Sequence, residues 1–425
     1  MANTFKTQEK VKQSIEFMWS EQDVALDKVD WRSEEFKAAD STGEVINLRR
    51  GQEVTLSTPA MGVDYALPGV VTPPAGFSTL TDPYLPLSIN KRYEVNLQLS
   101  VEDILTKVDK SAVMERVIKP ALLKFRHAAE KDLLEAAELA AGQFVGTVSG
   151  SDATAWKENP YKAIGMIAER GIDIDGGIAI VNTKVPAILG PAQAAVFQAQ
   201  AAARETYGTG VLGHYAGFDW YKSPMLSTRT ITAASGTVTS VSHVYNGSAS
   251  NGTPTTWVPT MSLVVPSGSA PAVGARLQFQ NSGTTINFAQ KDTKADTSNA
   301  FQVVVRSVDT TAGVTTIVVS EALVATGAYK NATADITGGS TTYSVVNVGN
   351  SLKAGLLFDP KAIVAASPEV KLGADVESNA IRFNLGGLHC AIVTQTWIGT
   401  IQQVTKMIAF GGYAVPCPEG IVAAY

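Results

Sequence analysis

Residues 111–142 read SAVMERVIKPALLKFRHAAEKDLLEAAELAAG, the longest uninterrupted helical pattern in the chain. Val113, Val117, Ala121 and Phe125 recur at spacings of four, and Leu133, Ala137 and Ala140 continue a similar stripe. Lys119, Lys124, Arg126, Glu130, Lys131 and Glu138 fall to the wetter side. This is the periodicity of an amphipathic helix. Asp109 or Ser111 offers an N-cap and Gly142 a terminus. About thirty residues at ~1.5 Å rise make a rod of roughly 45 Å. Such a rod suits the backbone of a wide, flat plate better than a small domain. Pro120 lies inside it and predicts a bend, because it removes one backbone hydrogen bond and crowds the preceding turn.

Upstream the period shortens to two. EVINLRRGQEVTLST (44–58) alternates apolar and polar residues, and RYEVNLQLS (92–100) puts Tyr93, Val95, Leu97 and Leu99 on one face. Between them stand Pro59, Pro68, Pro73, Pro74, Pro83 and Pro86, a density that excludes a helix or a central strand. The stretch predicts a long two-stranded excursion with an irregular tip, and an isolated hairpin of that kind needs outside support. Arg49, Arg50, Lys91 and Arg92 bracket its base, where they either pair with acidic groups across a subunit boundary or stay solvated. A short helix follows at Val101–Val108, with Ser100 and Asp103 placed as a capping-box variant.

Residues 1–40 form a polar arm. Phe5, Val11, Ile15, Met18 and Trp19 make one apolar face, and Trp31 and Phe36 belong to a second piece. An arm this exposed would fray unless it docks, on the chain's own body or on a partner. Its acidic residues Glu16, Glu21 and Asp23 either meet a basic partner or are solvated.

Downstream of the long helix, Trp156–Arg170 reads as a helix closed by Gly171, GGIAIVN (176–182) as a buried strand and Ala192–Arg204 as an alanine-rich helix. HYAGFDWYKSP (214–224) ends this mixed block. Composition then breaks. From Ile231 to Gln290 Arg276 is the one charged residue, among Ser, Thr, Gly and Val. TVTSVSHVY, SLVVP, ARLQFQ, FQVVVRSVD and TTIVVSEAL are short β-branched runs between turns, the pattern of a small all-β barrel or sandwich over about Thr230–Val346. NGSASNGTP (246–254) and QKDTKADTSN (290–299) read as loops. The flanks, YKSPMLST and VNVGNSLKAGLLFDP, look like halves of one interrupted domain. LLFDPKAIVAAS, LHCAIVTQTWIG and VTKMIAFGGYAVPCPEGIVAA supply strands that complete it and pack on the rod.

Chemistry is sparse. With 45% hydrophobic and only 17% charged residues, the 425-residue chain should hide much surface against neighbours. A net charge of -5 argues against a general polyanion binder. Two cysteines, Cys390 and Cys417, form no disulfide framework, and the N-terminus shows no apolar signal region, so a reducing compartment is expected. No apolar run is long enough to span a membrane. No G-x-G-x-x-G, Walker, H-E-x-x-H or G-x-S-x-G motif occurs, so no catalytic, cofactor or metal site is assigned. His389 and Cys390 are adjacent, so on a strand they point to opposite faces and read as a buried thiol beside a partly exposed imidazole rather than a dyad. Asp173 and Asp175 read as a turn rather than a cation site.

The order of parts resembles the major capsid proteins of tailed double-stranded DNA phages, with the Hong Kong 97-type fold. HYAGFDWYKSP, VSEAL, LLFDPKAIVAASPEV and GGYAVPCPEGIVA look like the coat-protein subfamily with an inserted I domain, the P-twenty-two type. Ala216–Pro224, AGFDW-x-x-SP, is the most specific stretch. The resemblance implies an α+β capsid fold: arm 1–40, E-loop 41–98, peripheral domain with spine helix 99–150, axial domain 151–229, all-β I domain 230–346, and axial domain and return 347–425. It implies a structural, non-enzymatic subunit forming hexamers and pentamers in an icosahedral shell. That shell would enclose packaged double-stranded DNA by confinement, in a virion assembled in the host cytoplasm. It further implies a scaffolding protein, a portal protein and a precursor shell that expands, without cross-linking or cleavage. Scaffold or neighbour contacts would be sought in the arm at Glu16, Trp19, Glu21 and Asp23, and neighbour contacts at the E-loop base at Arg49, Arg50, Lys91 and Arg92. I-domain loops would touch neighbouring capsomers. A secreted surface-layer or adhesin-type binding protein, or a hydrolase with a β accessory domain, are the competing classes.

Overall fold

The fold is read from a computed structural model. It describes residues 25–36, 42–49, 84–100, 119–146, 153–172, 174, 176–183, 185, 214–226, 228–245, 248–291, 293–327, 329–351, 355–372, 380–397 and 402–424. Several expectations lie outside these residues. They are the apolar face of the arm with Glu16, Trp19, Glu21 and Asp23, Arg50 and the hairpin tip, the helices at 101–108 and 192–204, and Asp173 and Asp175.

The described part of the rod is helix α1 (Lys119–Glu138). Its apolar stripe buries Phe125, Leu133, Ala137 and Ala140, while Lys124 and Lys131 are exposed. Two residues assigned to the wet side are in fact buried, Arg126 and Glu130. Periodicity misplaces them because long charged side chains lay their apolar stems along buried surface, which spacing along one helix does not reveal. The helical hydrogen bonding runs on from Leu139 N–H to the Glu135 carbonyl and from Ala141 N–H to the Ala137 carbonyl, at 3.0 Å each. Gly142 has a different use from the expected cap: a Cβ there would lie 2.7 Å from the Gln302 carbonyl oxygen, so it lets another backbone come close.

One face of α1 packs on a six-stranded sheet. Its order is β1 (Asp30–Trp31), β23 (Val364–Ala366), β26 (Gln402–Ala414), β25 (Leu388–Trp397) and β24 (Ala380–Leu385), with β4 (Lys91–Ser100) also on β26. β4 and β26 run antiparallel from Lys91↔Gly411 to Ser100↔Gln402. This overturns the expected pairing of RYEVNLQLS within the excursion. The returning strand is instead β3 (Tyr84–Ser88), on β2 (Val45–Arg49), with Pro86 opposite Asn47. A proline is tolerated there because a two-stranded ribbon has only edges. Gly43 and Ile89 close its root, Gly43 N–H to the Ile89 carbonyl at 2.8 Å.

A second six-stranded sheet, with helix α2 (Ala153–Glu169) against it, has order β5 (Gln143–Val145), β27 (Ile421–Ala424), β22 (Gly355–Phe358), β6 (Gly177–Val181), β8 (Phe218–Lys222), β7 (His214–Tyr215). β6, β22 and β27 are buried along their whole length, hence their continuous apolar text. Both sheets and both helices share one core, with Phe125, Phe218, Trp220 and Phe358 among its large members.

The chain leaves this body through β9 (Arg229–Ile231) and re-enters through β21 (Gly349–Ser351), which pair with each other. Between them lie β10 (Ser235–Thr237), β11 (Ser240–Tyr245), β12 (Ser248–Asn251), β13 (Met261–Pro266), β14 (Arg276–Asn281), β15 (Thr284–Thr285), β18 (Gln302–Thr311), β19 (Val314–Val319) and β20 (Thr341–Val345). They form one sheet of order β10-β20-β14-β18-β19-β13-β11-β12, with β15 on β14. Thr239 N–H donates to the Val264 carbonyl at 2.8 Å and curls the β10 end onto β13. β16 (Asn287–Ala289) and β17 (Asp296–Ala300) form a separate pair. This unit has its own core around Leu263, Phe279, Phe288, Phe301, Ile317 and Tyr343.

Candidate functional site

The charged chemistry of the described residues converges where the β unit meets the helices. A helix C-terminus leaves carbonyls without intrahelical donors and carries partial negative charge. Here two arginines from the β unit answer it. Arg276 on β14, fully buried, donates through Nη1 to the Ala141 carbonyl, and Arg306 on β18 donates through Nε to the Leu139 carbonyl at 3.3 Å. The Phe144 ring lies 5.9 Å from the Arg276 guanidinium carbon. Burial pushes the Arg306 guanidinium below its ordinary pKa. So the lone charge of the span 231–290 is spent on docking.

Two ion pairs flank this contact. Arg170, just past α2, donates to Glu321 at 2.6 Å, with side-chain exposures of 4% and 0%. Asn331 Nδ2 adds a hydrogen bond to the same carboxylate at 3.1 Å, and the Arg170 guanidinium stacks 4.3 Å from the Phe288 centroid. A buried pair is tolerable only with such extra partners. At the neck Arg229 donates to Glu135 on α1 at 2.5 Å. Asn299 also donates to Glu169.

The other joint lies between α1 and β4–β26. The Tyr93 hydroxyl sits 3.1 Å from Asp132 Oδ2 and 3.1 Å from the Tyr413 hydroxyl, so it gives its proton to the carboxylate and accepts from Tyr413. Phe125 meets the Tyr93 ring edge-on at 5.9 Å. Burial, then each other's charge and that of Asp132, push Tyr93 far above the ordinary phenol range; burial does the same to Tyr413.

Of the residues bracketing the excursion, Lys91 lies 3.4 Å from Asp132 and Arg92 lies 2.7 Å from Glu94. Glu94 also meets Lys406 at 2.6 Å and Asn96 at 2.9 Å, and these contacts, Lys406 foremost, hold its carboxyl below the usual range. The backbone of Arg49 pairs with Tyr84. Arg49 therefore sits on the ribbon, whereas Lys91 and Arg92 sit on the body sheet. The described end of the arm packs on its own chain. β1 joins β23 in parallel, Trp31 donates to the Leu26 carbonyl at 2.8 Å, and its ring lies against Gly387 where no Cβ would fit. Phe36 packs with Leu48, Leu87 and Phe410 at the ribbon root.

No cluster of three or more His, Cys, Asp or Glu with metal-binding geometry occurs among the described residues. Cys390 is buried, its thiol pushed up by desolvation, and His389 is half-buried, its backbone N–H donating to Ser367 Oγ at 2.9 Å. A cleft of about 970 Å³ lies between residues 27–32, the ribbon root and β6–β8, with Lys28, Asp30, Arg32, Asp219 and Lys361 on its walls. Its charges are of both signs, and Arg32 pairs with Asp30 at 2.8 Å. No described helix is long and apolar enough to cross a membrane. Sequence reasoning missed Arg170, Glu321 and Arg306. It registered Arg276 only as an anomaly, and that anomaly was the available signal.

No family model and no curated protein matches the chain. Among solved structures it is similar to chains from phages. One from Mycobacterium phage Che8 aligns with 95% of this chain and 91% of that one, at 10% identity and a TM-score of 0.48. A chain of the capsid structure of cyanophage P-SCSP1u aligns with 95% and 88%, at 12% identity and a TM-score of 0.45. A chain of the mature capsid of bacteriophage PhiM1 aligns with 95% and 87%, at 10% identity and a TM-score of 0.39.

Proposed function

We propose that this chain is a major capsid protein of a tailed phage. Copies join as hexamers and pentamers into an icosahedral shell around packaged double-stranded DNA. The observation that carries this reading is the excursion 45–88. It leaves the body as a ribbon whose strands, among the described residues, hydrogen-bond only to each other. A two-stranded ribbon is marginal by itself, and a neighbouring subunit supplies what it lacks. The order of parts along the chain, from arm and excursion through long helix and mixed sheet to all-β unit and return, supports the same reading. In these terms 230–346 is an inserted domain, and α1 belongs to the spine of the subunit. Residues 41–98 form the excursion, less β4, which is pinned to β26.

On this reading a scaffolding protein meets the arm around Glu16, Trp19, Glu21 and Asp23. Arg49, Arg50, Lys91 and Arg92 lie toward the neighbour that receives the ribbon. A portal protein occupies one vertex, and a mildly acidic wall holds DNA without binding it tightly. A precursor shell, assembled in the host cytoplasm, expands on maturation. Electron microscopy of the chain co-expressed with its scaffold should show closed shells of uniform size. Soluble monomers alone, at all concentrations and salts tried, would overturn the proposal.

A further inference from the structure

The ribbon has an inner and an outer face. Its register pairs Ile46 with Leu87 and Leu48 with Leu85, and cross-strand partners share a face. Val45, Asn47 and Pro86, on the other face, are exposed. The inner face is divided between two supports. Ile46, Leu48 and Leu87 pack with Phe36, Val364 and Phe410. Leu85 instead packs with Trp257, Val324 and Tyr329 of the β unit. Ala414, at the end of β26, packs against both groups.

Trp257, Val324 and Tyr329 stand apart from the β unit's own core, which gathers around residues such as Leu263, Phe279 and Ile317. Large apolar side chains grouped outside a domain's core form a docking surface. Here they are 3%, 0% and 6% exposed, with Leu85 at 8%. Hydrogen bonds fix this surface in place. Val324 N–H donates to Asn331 Oδ1 at 2.7 Å, and Asn331 N–H donates back to the Val324 carbonyl at 2.9 Å. Asn331 Nδ2 donates to the Ala322 carbonyl at 2.9 Å and to Glu321, the carboxylate that receives Arg170 beside α2. One short stretch of chain therefore carries both the seat of Leu85 and a tie to the body.

Nearer its root the ribbon rests on β26. A Cβ on Gly412 would collide with the Ser88 carbonyl, so β3 and β26 come into backbone contact there. A ribbon held at one point can pivot, and a second point fixes its pitch. Leu85 is that second point, three residues or about 10 Å further out along β3. We infer that the β unit sets the direction in which residues 45–88 leave the body, through the seat of Leu85 on Trp257, Val324 and Tyr329. The ribbon and the seat then open and close together, and each stabilises the other by the same amount. This coupling belongs to the single chain and does not rest on the capsid reading. Joined to that reading, it makes the β unit the part that aims the ribbon at the neighbour receiving it.

Amide hydrogen exchange of the full chain, kept dilute and unassembled, reads the coupling from both sides. Val324→Ala truncates the seat and leaves the ribbon's strands and the β unit's core unaltered. It should speed exchange in 45–49 and 84–88 about tenfold, a loss of ~1.4 kcal/mol, while β18 and β19 keep their protection. Val308→Ala, an equal truncation elsewhere in the β unit, should leave the ribbon's exchange unchanged. Leu85→Ala, on the ribbon, should in return speed exchange of the Val324, Asn331 and Ala332 amides by a similar factor. Leu85→Met refills the seat and should restore them. Ribbon protection unchanged by Val324→Ala overturns the inference, and so does a Leu85→Ala effect confined to the ribbon. If Val324→Ala loosens the whole β unit, Leu85→Ala decides alone, because Leu85 lies outside that core. Shell formation is scored separately. Coupled exchange in a chain that never forms shells overturns the capsid reading and supports the coupling; shells with uncoupled exchange overturn the coupling alone.

Discussion

Two excursions leave the same body and differ in what they carry. Residues 45–88 depart and return as β2 and β3, and the apolar contacts at their root are borrowed: Leu48, Leu87 and Ile89 pack with Phe36 of the arm and with Val364 and Phe410 of the body. Residues 231–345 depart and return beside the β9–β21 pair, but bring a core of their own with Phe279, Phe301, Ile317 and Tyr343 inside. Among its described residues the first has no core of its own and depends on what it lies against. The second supplies its own burial and needs only anchoring, which Arg276, Arg306, Arg170 and Arg229 provide. Burial of apolar area stabilises an element by itself, whereas polar contacts mainly fix where it sits.

The largest effect expected from this contrast is all-or-none. Residues 229–351 expressed alone should unfold cooperatively in urea with a β-sheet circular-dichroism signal. Residues 43–90 alone should show no transition. The contrast breaks if the β unit melts without cooperativity, because its core would then depend on the body.

Much of this was legible in the text. The stripe through Phe125, Leu133 and Ala137 fixed the inner face of α1, and the buried run of β6 and the strands after Leu356 were readable as apolar segments. What escaped was non-local. Tyr93 and Val95 announce a strand, but nothing nearby says that its partner is Ala409 and Met407 rather than the excursion. Arg126 and Glu130 have a polar spelling and a buried address. Arg276 stood out by being alone, yet its acceptor is a backbone carbonyl, Ala141, and every residue has one. Arg170 and Glu321 lie far apart in sequence, and charge patterning detects only pairs close along a helix.

The anchors themselves give the next effect in size. Arg170→Ala strips the partner from a carboxylate with no exposure and should cost ~3–5 kcal/mol in the urea unfolding of the full chain. Replacing both residues by leucine should recover most of that, since no buried charge is left alone. A double variant as unstable as the single one would show that the β unit is positioned by this pair's geometry, not merely spared an unpaired charge.

The smallest effect separates the two joints by pH. The insertion is anchored by guanidiniums, while α1 meets β4 and β26 through neutral phenols. A phenol with a raised pKa keeps its proton in the folded chain after the unfolded chain has released it near pH 10. Stability therefore begins to fall near pH 9, where the unfolded chain ionises the Cys390 thiol that the folded chain keeps protonated, and falls further above about pH 10, by up to ~1.4 kcal/mol per pH unit for each such group. Tyr93 and Tyr413 give the body two phenols. In the insertion Tyr343, raised by burial and donating to the Ser269 carbonyl at 2.7 Å, gives one. The Tyr93→Phe/Tyr413→Phe variant should lose ~0.5–1.5 kcal/mol at pH 7 for each hydrogen bond removed. In exchange its alkaline slope should drop to that of Tyr343 and Cys390. Unfolding midpoints between pH 8 and 11 read the difference, and a slope unchanged by the double substitution would mean that these phenols already reach water in the folded chain.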